Sequence, residues 1–315
     1  MRPIGGELEQ LQNDNTILFT DSGRSSLRLF IRSGYAQSKF LLPNFLCGII
    51  EDVLIQEGVD YEFYIITSDL KIDRSSMLNK EYDVLYLINY FGIYHHLDKN
   101  DLIGKTIIED NVFFSNFHNK SNYKNWFGFN SYRKVLNVCD GSLIKTNLLI
   151  EDQLIENLDS KFVYDKRQAK NVKHEFIHNN IGREADYLTL FKKGEIKLNR
   201  QRSIHRMSSE SIYHVCNKND NQEQSKKRFD VLAKLFPEAQ FDGVFEYFTF
   251  FPFRLKERDA FMNYLSNKNI YLPIYWPGNI NNNKLHGILT TIPLSTVYTN
   301  LEFNHIINTI KEFKL

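Results

Sequence analysis

Short apolar runs recur through the first half of the chain. They are rich in β-branched and aromatic residues, and this composition predicts buried β-strands. The predicted strands cover residues 16–20, 39–43, 61–66, 83–89, 105–110 and 142–146. Helical patterns lie between several of them, so the first half favours an α/β fold with a mostly parallel sheet flanked by helices.

The helical patterns are clearest in three stretches. One covers residues 25–33, and another covers residues 45–58, where Gly58 provides a stop. Four apolar side chains share one face of this second pattern: Phe45, Ile49, Val53 and Leu54. Residues 147–198 are charged and helical in pattern. Four apolar residues there have helical spacing: Ile150, Leu154, Ile155 and Leu158. We expect these helices to cover the sheet.

A second, smaller unit is predicted after a polar connection at residues 217–227. It contains four predicted elements: an aromatic strand within 244–253, a helix at 257–266, a strand at 269–274 and a final helix at 299–313. Thr299 and Glu302 form a capping box at the start of the last helix. The expected organisation is a large α/β domain at 1–205 and a small α+β domain at 206–315.

The composition argues against several classes of partner. The chain has 315 residues, with 39 basic and 38 acidic side chains, so no net field attracts nucleic acid or an anionic membrane. Its cysteines, Cys47, Cys139 and Cys216, have no spacing that indicates disulfides or zinc. Residues 1–12 lack the apolar core of a signal peptide, and no apolar run is long enough to span a membrane. We expect a soluble, cytoplasmic protein with small-molecule partners.

Two other clusters could suggest a ligand. His95, His96 and Asp98 could suggest a metal, but adjacent histidines point in opposing directions and no third ligand follows at a fixed spacing. We therefore expect no metal. The aromatic side chains of residues 247–253 could stack on nucleic-acid bases, but no basic stripe accompanies them and a buried strand explains them more simply.

Two strand ends in the large domain carry potential chemistry. The turn Asp-Ser-Gly-Arg-Ser-Ser at 21–26 offers free backbone N–H groups and hydroxyls to a phosphate. The simpler alternative is a tight turn with a serine N-cap. Asp110 ends a strand at the edge where ligands of parallel sheets bind, and a carboxylate there would keep a pyridine nitrogen protonated. Its alternative is an ordinary carboxylate that caps the next helix.

Lys134 is a third candidate. A lysine amine attacks an aldehyde cofactor once it is deprotonated, and a partly buried position beside another cation, here Arg133, lowers the amine pKa in the required direction. Arg133 could also help to neutralise a phosphate. Taken alone, a lysine in this setting is more often a solvated surface residue.

The order of these motifs resembles the large domain of fold-type I pyridoxal-phosphate enzymes, and most closely the DegT/DnrJ/EryC1/StrS sugar aminotransferases. Ser-Gly-Arg-Ser-Ser-Leu at 22–27 resembles the family's Ser-Gly-Thr-x-Ala-Leu turn, and Ile-Glu-Asp at 108–110 matches its Ile-Glu-Asp. Lys134 precedes Gly141 after six residues, as the family's lysine precedes its paired glycine. Further likenesses at 43–46, 87–92, 206–208 and 292–294 extend the resemblance over nearly the whole chain.

The resemblance implies pyridoxal 5'-phosphate as cofactor and a role for each matching residue. Lys134 would hold the cofactor and move the proton, and Asp110 would pair with the ring nitrogen. Three residues would hold the phosphate: Arg24, Ser25 and Ser131. Phe45 would replace the stacking aromatic, whose position is taken by Cys47. Related sugar dehydratases have histidine in place of the lysine, so Lys134 favours transamination. The segment 275–278 would lie near the substrate mouth.

Four departures from the family pattern stand out. Arg24 replaces a threonine, Phe113 replaces a glutamine or histidine, and Ser142 replaces the second glycine. Ile204 replaces an asparagine that reaches the phosphate bound by the partner subunit. These departures put the details of cofactor and substrate binding in question, whereas Lys134 itself is retained.

The sequence therefore predicts a homodimeric pyridoxal-phosphate-dependent aminotransferase. Its expected reaction transfers an amino group from an amino acid, with glutamate first, to a nucleotide-linked keto-sugar in polysaccharide or amino-sugar biosynthesis. One alternative, motivated by Phe113 and Ile204, is a relative that keeps the fold without turnover and acts as a binding or regulatory protein. Another is a nucleotide-binding α/β protein that uses the turn at Gly23, although no Gly-x-Gly-x-x-Gly or Walker sequence supports it.

Overall fold

A seven-stranded mixed sheet forms the centre of the larger part of the protein. The computed structural model describes residues 16–95, 97, 102–118, 123–217, 221–276 and 283–313. The strands in chain order are β1 (Thr16–Thr20), β2 (Phe40–Pro43), β3 (Tyr61–Tyr64), β4 (Val84–Ile88), β5 (Thr106–Asp110), β6 (Asn125–Phe129) and β7 (Ser142–Thr146). Across the sheet their order is β1, β7, β6, β5, β4, β2, β3.

The strand directions bring four strand ends to one edge of the sheet. Strands β2 to β6 are parallel, whereas β7 runs antiparallel to both β6 and β1, so β1 points the same way as β6. Asp110 is in register with Ile88 on one side and Phe129 on the other. The carboxyl ends of β1, β4, β5 and β6 therefore meet where ligands of open α/β sheets bind. The predicted mostly parallel architecture is confirmed.

Helices flank this sheet. They are α1 (Gly23–Phe30), α2 (Gly48–Glu57), α3 (Tyr132–Val135), α4 (Lys161–Asn179), α5 (Glu184–Arg200) and α6 (Ser209–Cys216). Gly58 ends α2 in the left-handed conformation, as its position predicted. Helices α4 and α5 pack against each other, and Gly194 makes their close approach possible, because a Cβ there would lie 3.1 Å from the Lys166 Cε atom.

Short strands tie this hairpin to the sheet. Strand β8 (Ile155–Glu156) pairs in parallel with β9 (Ile204–His205), which follows α5. The Asp21 N–H group, just after β1, donates to the His205 carbonyl at 2.9 Å. The chain that leaves α5 is therefore fixed beside the carboxyl end of β1.

A second hydrophobic core lies in the C-terminal part. It is built by α7 (Gln222–Leu235), β10 (Phe250–Arg254), α8 (Arg258–Ser266), β11 (Leu289–Pro293) and α10 (Asn300–Glu312), with the short α9 (Leu285–Ile288) preceding β11. The predicted capping box is present at α10, where Thr299 N donates to Glu302 Oε2 at 2.7 Å and Glu302 N donates to Thr299 Oγ1 at 3.2 Å. The domain boundary at residues 205 and 206 stays a prediction. Within the described ranges, no helix combines the length and apolar character needed to cross a bilayer.

Several predicted elements were wrong. Residues 150–158 form a single 3₁₀ turn followed by β8 instead of a helix, and residues 269–274 form a turn and an irregular segment instead of a strand. Helix α7 begins at Gln222, so the polar connection is shorter than residues 217–227. Strand β6 was not predicted, because Gly128 weakens its pattern. A Cβ at Gly128 would lie 2.5 Å from the Trp126 ring, so glycine is required there.

Candidate active site

A cavity of about 210 Å³ opens at the edge where the four strand ends meet. Its lining includes polar and charged side chains from β5, α1, α3 and α5: Ser22, Arg24, Asp110, Ser131, Arg133, Lys134 and Glu195. Apolar residues and a thiol complete the walls: Cys47, Ile49, Ile50, Ile88, Val112, Phe129 and Trp276. The cavity thus brings together a primary amine, a carboxylate at a strand end and two arginines.

Three larger cavities among the described residues lack this combination, and the smallest of them, of about 270 Å³, lies between residues 70–74, 93–95 and 242–244. Another, of about 340 Å³, lies between the segment 136–139, α4 and α6, and its cations Arg167 and Lys170 contact Glu210 and Asn137 respectively. The largest, of about 550 Å³, lies between residues 238–239, 254–257 and Phe313 in the C-terminal part. None of the three is lined by Asp110 or Lys134, so none combines a strand-end carboxylate with the amine.

The N-terminus of α1 forms one wall of the site. Ser22 is the N-cap of this helix, and its hydroxyl accepts from the Ser25 N–H group at 3.3 Å. Arg24, in the first turn, donates from Nη1 to Asn199 Oδ1 of α5 at 2.6 Å. Burial, together with the nearby Arg133, lowers the pKa of Arg24. This wall therefore presents positive charge and backbone donors to an anion.

Asp110 lies at the floor of the cavity and is buried. Its Oδ2 atom accepts from the Tyr86 hydroxyl at 2.8 Å, and its Oδ1 atom accepts from the Val112 N–H group at 3.0 Å. Burial raises the pKa of Asp110 to about 7, although these two hydrogen bonds and the charge of Lys134 act in the opposite direction. Pairing with a protonated ring nitrogen requires the ionised carboxylate, which the hydrogen bonds from Tyr86 and Val112 favour.

Lys134 lies on the short helix α3, directly after Arg133, and Ser131 is the N-cap of this helix. Its side chain is accessible from the cavity, while protein atoms crowd around its ammonium group. This desolvation, with a further contribution from Arg133, lowers the pKa of Lys134. A larger fraction of the amine is therefore neutral than in an ordinary lysine, which makes it a better nucleophile and a better base.

Gly141 fixes the lysine turn against β1. Its N–H group donates to the Asp21 carbonyl at 2.7 Å, and its own carbonyl accepts from the Tyr132 N–H group at 2.9 Å. Its φ is +120°, and a Cβ there would lie 2.4 Å from the Met207 Cε atom. Only glycine satisfies both conditions, so glycine is required at the position that fixes the lysine turn.

No protein-family model and no curated protein sequence matches this chain. Solved structures do match it. The sugar aminotransferase CalS13 from Micromonospora echinospora superposes with a TM-score of 0.60 at 14% identity, covering 95% of this chain and 87% of that one. A DegT DnrJ EryC1 StrS aminotransferase from Brucella abortus gives 0.60 at 13% identity, covering 94% and 85%. Spr1654 from Streptococcus pneumoniae, solved in its PMP form, gives 0.64 at 13% identity, covering 94% and 87%.

The chain has the fold of the sugar aminotransferases. The resemblance inferred from the short motifs is confirmed at the level of the fold, as is the fold-type I architecture. The matches span most of the chain in both directions, so the fold includes the C-terminal part. At these identities the likeness concerns the fold, and the chemistry of the site rests on the residues of this chain.

The aminotransferase fold brings four of the six predicted site residues to the cavity wall. Arg24, Asp110, Ser131 and Lys134 all line the cavity. Ser25 is wholly buried and supports the N-cap instead, so Ser22 is the hydroxyl that faces the cavity. Phe45 is also wholly buried and does not line the cavity. Its ring lies 4.8 Å from the Trp276 ring, which does line the cavity, so Phe45 supports the wall from behind.

The departures have structural explanations within this aminotransferase fold. Phe113 joins an aromatic cluster, with its ring 4.4 Å from Phe91 and 5.3 Å from Tyr275. The hydroxyl of Ser142 accepts from Ser26 at 2.8 Å and donates to the Asn130 carbonyl at 2.5 Å. These partners satisfy the polar group that replaces the second glycine of the family.

Two other departures change what reaches the cavity. Ile204 is buried in the main core of its own chain, in the strand pair with β8. Cys47 lines the cavity, and burial raises the pKa of its thiol.

The histidine cluster that could suggest a metal is only partly visible. His95 lines a separate cavity together with residues 70–72 and Tyr94. His96 and Asp98 lie outside the described residues, as do Pro277 and Gly278 of the segment 275–278. Among the described residues, no group of three or more potential metal ligands is found.

Glu195 is the cavity residue that sequence reasoning missed. It lies on α5, far along the chain from the other site residues, in a charged stretch with no recognisable motif. Its carboxylate accepts from Arg133 Nη1 at 3.0 Å and from Lys166 Nζ at 2.5 Å. Only the packing of the α4–α5 hairpin against the site reveals this contact, so no local signal could have identified it.

Proposed function

We propose that this protein is a pyridoxal-phosphate-dependent aminotransferase that acts on a keto-sugar. The observation that carries the proposal is that Lys134 and Asp110 line one cavity, where burial lowers the pKa of the lysine amine in the direction that a nucleophile needs. The fold is the one found in the sugar aminotransferase CalS13 and in the DegT DnrJ EryC1 StrS aminotransferase from Brucella abortus. Fold alone does not determine function, so the argument depends on these two side chains and the cations beside them.

The side chains of the cavity fit pyridoxal phosphate by their chemistry. The Lys134 amine suits the aldehyde, the buried Asp110 carboxylate suits the ring nitrogen, and Arg24 at the start of α1 suits the phosphate. Ser22 and Ser131 supply further hydroxyls to the cavity lining. When bound, the cofactor would supply an electron-withdrawing ring that stabilises negative charge on the substrate carbon next to the amino group.

The residues of this chain would then perform the proton transfers. Because its pKa is lowered, the Lys134 Nζ atom would take a proton from the substrate carbon and return it at the neighbouring position. Asp110 would keep the ring nitrogen protonated through its negative charge, held in place by Tyr86 and Val112. Trp276 would exclude water from one side of the reacting groups, since it lines the cavity and packs on Phe45.

The finer parts of the proposal concern substrates and assembly. We propose an amino acid, with glutamate first, as donor and a nucleotide-linked keto-sugar as acceptor, in polysaccharide or amino-sugar biosynthesis. The support is the repeated occurrence of sugar aminotransferases among the structural matches. We also propose a cytoplasmic homodimer. Ile204 is buried in its own chain, so any contribution from a partner subunit would have to come from other residues.

An amination assay tests this proposal. Purified protein loaded with pyridoxal phosphate is incubated with glutamate and a panel of nucleotide-linked keto-sugars, and the aminated sugar is detected by mass spectrometry. We expect product from the wild type and none from Lys134→Ala. Lys170→Ala is the matched control, because the pKa of Lys170 is also lowered by burial but this lysine lines a different cavity. A protein that binds the cofactor at Lys134 but aminates no acceptor would support the alternative without turnover.

A further inference from the structure

Three cations converge on one carboxylate beside the lysine. Glu195 Oε1 accepts from Arg133 Nη1 at 3.0 Å and from Lys166 Nζ at 2.5 Å, and Glu195 Oε2 lies 3.8 Å from Arg24 Nη2. Two of these cations, Arg24 and Arg133, line the same cavity as Lys134, as does Glu195 itself. The carboxylate therefore occupies the most positive region of the proposed active site.

Each cation also has a contact other than Glu195. Arg24 donates to Asn199 at 2.6 Å, the guanidinium of Arg133 lies over the Phe162 ring at 5.8 Å, and Lys166 contacts the Phe191 carbonyl at 3.4 Å. Their side chains are 16%, 17% and 7% exposed, whereas the Glu195 side chain is 41% exposed. The positive groups thus form a preorganised wall, and the carboxylate is the partner that can turn into solvent at low cost in desolvation.

The charge of this cluster remains unbalanced. Three cations face one carboxylate, which leaves two positive charges in a partly buried position. Burial alone would raise the pKa of Glu195, but Arg133 and Lys166 outweigh it and lower the pKa to about 2, so the carboxylate is ionised throughout the neutral range. A phosphate dianion in the cavity would satisfy Arg24 and Arg133 more completely, because it brings two charges and more acceptor oxygens.

We propose that Glu195 is a built-in competitor for phosphate: it occupies Arg24, Arg133 and Lys166 in the free protein and leaves them when a phosphate-bearing ligand binds. Naming that ligand as the cofactor rests on the proposed function, whereas the exchange of carboxylate for phosphate does not. Glu195 would thereby keep the cation wall paired before loading. Because its contacts with the cations must break before phosphate binds, Glu195 would also lower the affinity for phosphate.

Titration with inorganic phosphate tests this exchange directly. Isothermal calorimetry on the wild type, Glu195→Gln and Glu195→Ala gives the affinity for phosphate, with circular dichroism as a check on folding. We expect both variants to bind phosphate more tightly by roughly tenfold, since removing the competitor frees charge-assisted contacts worth about 1.4 kcal/mol or more. We also expect phosphate to raise the melting temperature of the variants more than that of the wild type.

Glu210→Gln is the matched control. Glu210 pairs with Arg167, the neighbour of Lys166 on α4, but it does not line the cavity with Lys134. This variant should bind phosphate as the wild type does. Unchanged or weaker phosphate binding by both Glu195 variants would overturn the proposal. Unchanged binding would show that the carboxylate does not compete with phosphate, and weaker binding would show that it organises the cations for phosphate.

The outcome is separable from that of the proposed function. Phosphate binding needs no cofactor chemistry, so tighter binding by Glu195→Gln supports the exchange even if Lys134 forms no adduct with pyridoxal phosphate. Conversely, an adduct at Lys134 together with unchanged phosphate affinity in Glu195→Gln would leave the aminotransferase proposal intact and reject the competitor.

Discussion

The hydroxyl of Tyr86 donates a hydrogen bond of 2.8 Å to the carboxylate of Asp110. Both side chains are buried, and they lie on adjacent parallel strands, β4 and β5. Tyr86 lies outside the Ile-Glu-Asp motif at 108–110, and it acts on Asp110 as a positioning residue. It fixes the orientation of the carboxylate and favours its charged form, because a hydrogen bond to a carboxylate lowers the carboxyl pKa.

Replacing Tyr86 with phenylalanine should therefore raise the pKa of Asp110 further above 7. Since the protonated carboxyl no longer pairs with a ring nitrogen, we expect binding of pyridoxal phosphate to require a higher pH, with a midpoint about one pH unit above that of the wild type. Absorbance titration of the cofactor across the neutral pH range measures this midpoint. An unshifted midpoint, with binding retained, would show that Tyr86 has only a packing role.

The raised pKa of Asp110 also predicts how stability depends on pH. In the free protein this carboxyl has a pKa of about 7 instead of 3.8, so the folded state binds the proton more tightly than the unfolded state. Its stabilising contribution is fully present below pH 3.8 and is lost as the pH rises through 7, a difference of roughly 4 kcal/mol at most.

Asp110→Asn removes this titration. We expect the variant to be more stable than the wild type at about pH 8, by about 1–3 kcal/mol after the mismatch of its amide with Tyr86 or Val112 is included. The advantage should shrink or reverse near about pH 5, where the wild-type carboxyl is largely protonated. Urea unfolding of both proteins at the two pH values measures the difference. A variant with the same relative stability at both values would contradict the raised pKa.

Gly141 should tolerate no side chain. Gly141→Ala places a Cβ 2.4 Å from Met207 Cε at a φ of +120°, so we expect a loss of about 2–4 kcal/mol in the free energy of unfolding. Because Gly141 supports the turn that carries Lys134, cofactor binding should weaken as well. Gly287→Ala is the control, because a Cβ there would meet no described atom within 4 Å and the residue lies in α9, where alanine is favoured. Equal stability of both variants would disprove this assignment.

Replacing Phe113 with glutamine, one of the residues that the family has at this position, should destabilise the protein. Phe113→Gln buries an amide among the rings of Phe91, Tyr275 and Phe250, so we expect a loss of about 2–4 kcal/mol. Phe113→Leu keeps the site apolar and should lose less. Chemical denaturation of the two variants gives the comparison. A stable Phe113→Gln variant with tighter cofactor binding would show instead that Phe113 is a defect in the site.

Much of the fold could be predicted from the sequence, because the strands of the sheet are continuous apolar runs. The bounds of β1 and β7 agree with the predicted runs, and the capping box of α10 forms as its residues indicate. The errors occur where tertiary contacts outweigh local pattern. Strand β6 tolerates Gly128 because two aromatic rings fill the space of its side chain. Three of the apolar residues within 150–158, Ile150, Leu154 and Ile155, pack against the core without forming a helix.

The candidate site was only partly predictable for a related reason. Arg24, Asp110 and Lys134 lie in motifs whose order along the chain is informative, and the parallel sheet brings their strand ends together. Glu195 and Lys166 come from a helical hairpin with no motif, so their contact depends on how α4 and α5 pack. The role of Tyr86 could not be predicted either, because a tyrosine within an apolar strand does not indicate that its hydroxyl contacts a carboxylate.

Peptide mapping after borohydride reduction tests the central claim most directly. The protein is incubated with pyridoxal phosphate, reduced, digested and sequenced by mass spectrometry, with Lys134→Ala treated in parallel. We predict a pyridoxyl adduct on the peptide that contains Lys134, and no specific adduct in the variant. An adduct confined to another lysine, such as Lys166 or Lys170, or wild-type protein that takes up no cofactor, would contradict the account.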